Sequence, residues 1–267
     1  MLALALLLAV APADTIPAPP RRSGLVVTAS TGLDVPLTLS DPSMFGDAGS
    51  RARGTNAALR LSGTASFRGA SASVTLYRYL VPRLQAPWDP DFVYSLGYAA
   101  PWPRGLHASY ANYDANRLQP VNGQPVTHVD RGVVTVAFAP AVSSPFRAID
   151  PTAGVYPRAS YEVVPSYLDM RTGDYQRAKH RVGAGVYAHA LGGLFVNVAL
   201  FVYPDPAQQQ PWDSDYSYAF GFARGWPSSV TVQYANYTGT RYPWREAEER
   251  TGRFRNGTLQ VAYSHRF

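Results

Sequence analysis

Hydrophobic and polar positions alternate along most of this chain. Tyr216, Tyr218, Phe220 and Phe222 interleave with Ser217, Ala219, Gly221 and Ala223, and Val230, Val232 and Tyr234 with Thr231, Gln233 and Ala235. Further upstream, Phe92, Tyr94, Leu96 and Tyr98 face Ser95, Gly97 and Ala99 in the same way. A period of two, with one bulky face and one small or polar face, predicts β-strands. Strands are expected at about 24–33, 56–67, 71–81, 91–100, 105–114 and 131–140. A second set is expected at about 159–170, 181–190, 194–203, 215–223, 229–238 and 256–267. No segment carries helical spacing over a useful length.

The two sets are related. Pro87-Trp88-Asp89-Pro90-Asp91 returns as Pro211-Trp212-Asp213-Ser214-Asp215, and Tyr110-Ala111-Asn112-Tyr113 as Tyr234-Ala235-Asn236-Tyr237. Arg117 returns as Arg241, and 14 of the 31 positions from Pro87 to Arg117 match at a constant offset of 124 residues. Such self-similarity predicts two six-stranded repeats, about 24–140 and 159–267, joined by a linker at 141–158.

Connection lengths then choose the architecture. Arg68-Gly69-Ala70, Pro101 to Arg104, Gly192-Gly193 and Arg224 to Pro227 are short, whereas Asp34 to Thr55, Pro82 to Pro90, Ala115 to Asp130 and Gly239 to Arg255 are long. Short turns on one side and long loops on the other predict an all-β fold, a transmembrane antiparallel barrel of about 12 strands. Face polarity agrees. The Ser, Ala, Gly and Thr of the small face cannot fill the core of a soluble barrel this size, whereas a bulky face turned to lipid leaves a lumen. Trp88, Trp102, Tyr113, Trp212, Trp226, Tyr237 and Trp244 are expected in interfacial girdles.

Composition narrows the chemistry. With 18 Tyr, 11 Phe and 5 Trp the chain is not disordered, and with no cysteine it has neither disulfides nor thiolate metal sites. Lys+Arg 24 against Asp+Glu 18 leaves +6 without a basic run, so nucleic acid is not an expected partner. Leu2 to Val10 followed by Ala11-Pro12-Ala13 reads as a signal peptide over 1–13, and the Pro-rich 14–23 as a periplasmic lead-in to a barrel at 24–267.

The end of the chain carries a family resemblance. Leu259, Val261, Tyr263 and Phe267 lie at alternate positions up to a C-terminal Phe. This resembles the terminal-strand signal of bacterial outer-membrane β-barrel proteins, with Tyr263 and Phe267 as its assembly residues. His265 interrupts the hydrophobic series. The resemblance implies the outer membrane as location, its lipid and lipopolysaccharide as surroundings, and the barrel assembly machinery as partner. In length and repeat structure the chain is also similar to the narrow monomeric porins for acidic oligosaccharides.

Several residues are candidates for chemistry. His107-Ala108-Ser109 places a base and a hydroxyl on one strand face. It resembles the pair of outer-membrane phospholipase A and the lipid A deacylases, which work on the lipid-facing surface. Here parity sends Leu106, Ala108 and Tyr110 outward, so His107 and Ser109 are expected in the lumen, and Thr231 and Gln233 replace them in the second repeat. Asp89/Asp91 and Asp213/Asp215 are too few for a Ca²⁺ site and read as turn caps. Arg117 and Arg241, at strand ends, are candidates for lipopolysaccharide phosphate. Arg60 alternates with Leu59 and Leu61 and is expected in the lumen; Arg78 is a further lumen candidate whose face stays open, because Val74, Leu76 and Leu80 share its parity. A structural ion pair with Glu162 is the competing role for these arginines. The expected function is a passive channel for small, preferentially anionic solutes, without cofactor or metal. A hydrolase using His107/Ser109 and a structural or export barrel for a surface polysaccharide are the rivals.

Overall fold

The computed structural model describes residues 24–37, 56–101, 105–120, 123, 125–140, 142, 144, 150–237, 239–245, 254 and 257–267. Twelve strands run in chain order: β1 Val26–Pro36, β2 Ala58–Phe67, β3 Ala70–Tyr79, β4 Phe92–Ala99, β5 Leu106–Asn112 and β6 Val133–Phe138. They continue as β7 Gly154–Leu168, β8 Tyr175–Ala190, β9 Leu194–Val202, β10 Tyr216–Arg224, β11 Ser228–Asn236 and β12 Thr258–Arg266. Each pairs antiparallel with its chain neighbours, and β1 pairs with β12 from Thr28↔Arg266 to Pro36↔Thr258, which closes the barrel. Closure gives every strand a neighbour on both sides within the barrel wall. No helix among the described residues is long and apolar enough to cross a membrane; the crossings are made by strands.

The outer surface follows the alternation. Leu59, Leu61 and Phe67 of β2, Val74 and Leu76 of β3, Leu194, Val196 and Leu200 of β9, and Leu259, Val261 and Tyr263 of β12 all stand exposed. From Leu59 to Phe67 at ~3.3 Å per residue and ~40° tilt, this band is roughly 20 Å tall along the barrel axis. That matches the apolar band of a bilayer-spanning barrel, about 25 Å. An unbroken belt of this kind in water would be an aggregation surface. It is a lipid-facing surface.

Short turns gather at one end, and by the rule for such barrels this end is periplasmic. Arg68-Gly69 joins β2 to β3; both residues have positive φ (50° and 92°), which turns the chain tightly. The connection from Ala139 to Ala153, between β6 and β7, is the long one at this end, as the sequence indicates. Its boundary shifts, however: β7 begins at Gly154, inside the expected linker. The larger departure is β8, which begins at Tyr175 rather than at 181. At 15 and 16 residues, β7 and β8 outrun their neighbours, and β6 reaches β7 only from Val163 down to Ala159. The hairpin therefore rises above the extracellular rim, and its connection at that end is only Asp169 to Asp174.

The expected signal peptide, the lead-in and Trp102 lie outside the described residues. Trp226 (67% exposed) and Trp244 (78%) are exposed as girdle residues are, but Trp212 (4%) is buried in the β9–β10 connection. Its flanking turn is anchored from within, as described next.

Candidate functional site: the barrel lumen

Twelve strands lie between the eight that side chains can fill and the sixteen or more that leave a wide channel. Side-chain size therefore decides how much space remains. On the wall formed by β2 to β5 the inward face carries Ser62, Thr64, Ser66, Ser71, Ser73, Thr75, Ser95, Gly97, His107 and Ser109, with Arg60, Tyr77 and Val93 as its bulkier members toward the extracellular end. Their hydroxyls pair across strands, Ser62 Oγ with Thr75 Oγ1 at 2.9 Å and Ser73 Oγ with Ser95 Oγ at 2.7 Å. These two pairs give four of the hydroxyls a partner without adding bulk to the wall.

The opposite wall is thick. Phe195, Phe201 and Tyr187 are buried on the inward faces of β9 and β8. Glu162 of β7 accepts hydrogen bonds from Nε (3.1 Å) and Nη2 of Arg181, and from Ser160 Oγ at 3.2 Å. The Arg181 guanidinium lies 4.2 Å from the Phe201 ring centroid. Above it, Lys179 Nζ (4% exposed side chain) donates to both carboxylate oxygens of Asp213 (0%) at 2.9 and 2.8 Å. Glu162, Val164, Lys179, Arg181, Tyr203 and Asp213 surround a small cavity on this wall. Asp213 belongs to the β9–β10 connection, so this extracellular loop is tied into the mouth of the barrel.

Arg60 faces inward as expected, with Nη1 3.8 Å from Oδ2 of buried Asp34. Its carboxylate neighbour is thus Asp34, while Glu162 is engaged by Arg181. Arg78, whose parity left its face open, is not a lumen residue. It pairs with Leu59, whose side chain is outward, and is itself exposed beside Leu76 and Leu80. Lipid exposure of an Arg costs about 2–4 kcal/mol at the bilayer midplane but only about 0–1 near the interface. Arg78 is one residue from the extracellular end of β3, where that cost is small.

His107 and Ser109 face the lumen, paired with Ala137 and Thr135 of β6. Thr231 and Gln233 are buried on the inward face of β11, and Gln233 donates to Gln260 Oε1 of β12. Tyr263 and Phe267 (73% exposed) are outward. His265, which breaks the apolar series, is also outward, with its Nδ1 2.7 Å from Ser228 Oγ and its ring edge against Phe267.

Arg117 and Arg241 are a correction. Arg117 donates from Nη1 to the Asp89 carbonyl at 2.6 Å and from Nη2 to those of Pro87 at 2.7 Å and Ala86 at 3.3 Å. Arg241 donates from Nη1 to the Asp213 carbonyl, and from Nη2 to those of Gln210 at 3.0 Å and Pro211 at 3.2 Å. Guanidiniums so engaged are loop clasps rather than free phosphate ligands. The aspartates complete matching loops. Asp89 accepts from Ala86 N at 2.9 Å and Asp213 from Gln210 N at 2.8 Å, while Asp91 and Asp215 accept from Gln85 Nε2 and Gln209 Nε2 at 2.8 and 2.7 Å. Burial pushes the Asp89 carboxyl above its ordinary range, opposed by the Ala86 N–H and the Arg117 cation.

Lys179, Arg181, Arg158 and Asp34 are lumen charges that the sequence reading did not single out, and Asp213, read as a turn cap, is also the partner of Lys179. Odd-position parity with Gly183 and Gly185 marks the two on β8, but the Lys179–Asp213 contact spans 34 residues and follows only from the fold.

No protein-family model and no curated protein matches the sequence. Solved structures do resemble it. The NanC porin shares 10% identity over 90% of this chain and 98% of its own, at a TM-score of 0.42. An outer membrane channel from Pseudomonas putida F1 shares 7% over 93% and 97%, at 0.39. OmpF of Salmonella typhi, solved with daunomycin, shares 11% over 91% and 97%, at 0.36.

Proposed function

We propose that this protein is a bacterial outer-membrane channel through which small solutes pass passively, with a preference for anions. The observation that carries the proposal is the hydroxyl-lined wall of β2 to β5 inside a closed barrel whose outer belt is apolar. Small polar side chains leave water-accessible width where twelve strands would otherwise be filled. Among the described residues the inward-facing cations Arg60, Arg158, Lys179, Arg181 and Arg266 outnumber the carboxylates Asp34, Glu162 and Asp213. Low-dielectric walls focus the field of that surplus along the path and favour anions.

Outer-membrane residence rests on the closed twelve-strand barrel and its apolar outer belt. Refolded protein in planar bilayers tests the function. Discrete single-channel current steps, with a reversal potential on the anion side in a KCl gradient, are expected. A folded barrel that inserts without conducting would refute the channel.

A further inference from the structure

Among the inward-facing cations of the described wall, Arg60 is held by Asp34, Lys179 by Asp213 and Arg181 by Glu162. Arg266 faces inward only at the periplasmic end of β12, with its guanidinium 4.9 Å from the Trp226 ring centroid, which leaves Arg158 within the wall itself. It lies on the inward face of β7, four residues below Glu162, and no carboxylate reaches it within ion-pair distance among the described residues. It is nevertheless exposed, although it points into the barrel.

The register explains this. Across the sheet from Arg158 stand Gly185 of β8, Ala199 of β9 and Ser217 of β10, a row with almost no side-chain volume. One row above, Ser160 is flanked by Gly183, where an added Cβ would come within 2.5 Å of Ser160 Oγ. Arg158 thus projects into the widest layer of the thick wall, on the periplasmic side of the paired charges. His107 lies in the row that runs through Ala137 to Ser160, the row next above Arg158.

A planar guanidinium with unoccupied donors binds oxyanions through two parallel hydrogen bonds. In a narrow lumen such a charge is retained only if hydrated or matched by a passing anion. We infer that Arg158 is the specificity-determining residue of the lumen, a transient docking point for small solutes bearing a carboxylate or phosphate group. The inference rests on the channel reading and names the residue that gives it anion preference.

The test uses the full refolded chain with sodium citrate as probe, and Arg158→Ala, Arg158→Lys, Arg60→Ala and Arg78→Ala as variants. Heat-modifiable gel migration verifies that each has folded. In wild-type channels, citrate is expected to interrupt the current briefly. Arg158→Ala should abolish the interruptions and lower the anion-to-cation permeability ratio by half or more, and Arg158→Lys should retain part of both. Arg60→Ala should shift the ratio less, because Asp34 already offsets that charge, and outward-facing Arg78→Ala should not shift it. An unchanged ratio and unchanged interruptions in Arg158→Ala overturn the assignment while leaving the channel standing. If the wild type does not conduct, the channel reading fails by itself, and calorimetric titration of citrate into detergent-refolded protein decides on Arg158. Binding lost in Arg158→Ala supports it, and equal or absent binding overturns it.

Discussion

The two walls of this barrel solve one problem in opposite ways. Strands β3 and β9 lie 124 residues apart in register, yet the inward residues of β3 are Ser71, Ser73, Thr75 and Tyr77, and those of β9 are Phe195, Asn197, Ala199 and Phe201. Both strands keep apolar residues outward, Val74 and Leu76 on one and Val196, Leu200 and Val202 on the other. Lipid constrains the outer face equally all round, whereas the inner face is free to diverge. One wall became a hydroxyl surface and the other a packed buttress of rings and ion pairs. The buttress fixes the extracellular loop through Asp213, and the hydroxyl wall leaves the space.

Breaking the buttress should have the largest effect. Asp213→Ala leaves the Lys179 ammonium buried without its partner, and removing one member of a buried pair costs about 3–5 kcal/mol. The temperature at which the folded gel band disappears should fall sharply. Replacing both partners together, Lys179→Met with Asp213→Leu, should recover most of the loss. Filling the opposite wall should leave stability nearly intact but close the path. Ser73→Phe, which imports the ring chemistry of β9 into β3, is expected to lower single-channel conductance several-fold, and Phe201→Ser to raise it.

The loop clasps should matter less than the buttress and equally in the two halves. Arg117→Ala and Arg241→Ala each free three or more carbonyl contacts, a loss of about 1–3 kcal/mol once water re-solvates the loop. Protease cleavage within the loosened loop, with strand content unchanged by circular dichroism, checks this. Truncation at Arg241 causing no greater cleavage than at outward Arg78 would show the clasp to be idle.

Much of this was readable in the chain, for physical reasons that also mark where reading stops. The strands β3 to β5 and β9 to β11 stand out because lipid on one side and water on the other enforce a two-residue period. That contrast vanishes where β7 and β8 rise above the membrane. Tyr175, Gln176 and Arg177 are exposed, and the period fades there, so the start of β8 was placed too late. Arg78 shared the parity of Val74 and Leu76; its outward position violates only the expectation that cations avoid lipid, which weakens at the interface. Arg117 and Arg241 recur at the same offset in the sequence, but their carbonyl partners lie about 30 residues away and depend on loop geometry. The buttress charges come from β7, β8 and a distant loop, and no local pattern joins them.

The smallest effect concerns the tip of the β7–β8 hairpin. Hydrogen bonds from the Arg171 side chain and backbone N–H hold the Asp169 carboxyl below its ordinary range. Its contribution to the folded turn is complete above the ordinary carboxylate pKa and is lost as pH falls through the lowered folded value. Deuterium exchange at residues 169–174, corrected for the intrinsic rate at each pH, should therefore rise below about pH 4. Asp169→Asn should show the raised exchange already at neutral pH.

The absence of any native cysteine permits the most direct test of the two-faced wall. Single cysteines at Thr64 and Ser73 are predicted to face a water-filled lumen, and cysteines at Leu61 and Val74 to face lipid. With the refolded protein in liposomes, a charged, membrane-impermeant thiol reagent should modify the Thr64→Cys and Ser73→Cys variants rapidly, each with a fall in conductance, and leave Leu61→Cys and Val74→Cys unmodified. Equal reactivity at both parities, or protection of the inward pair in a folded barrel, would contradict an open lumen lined by β2 and β3.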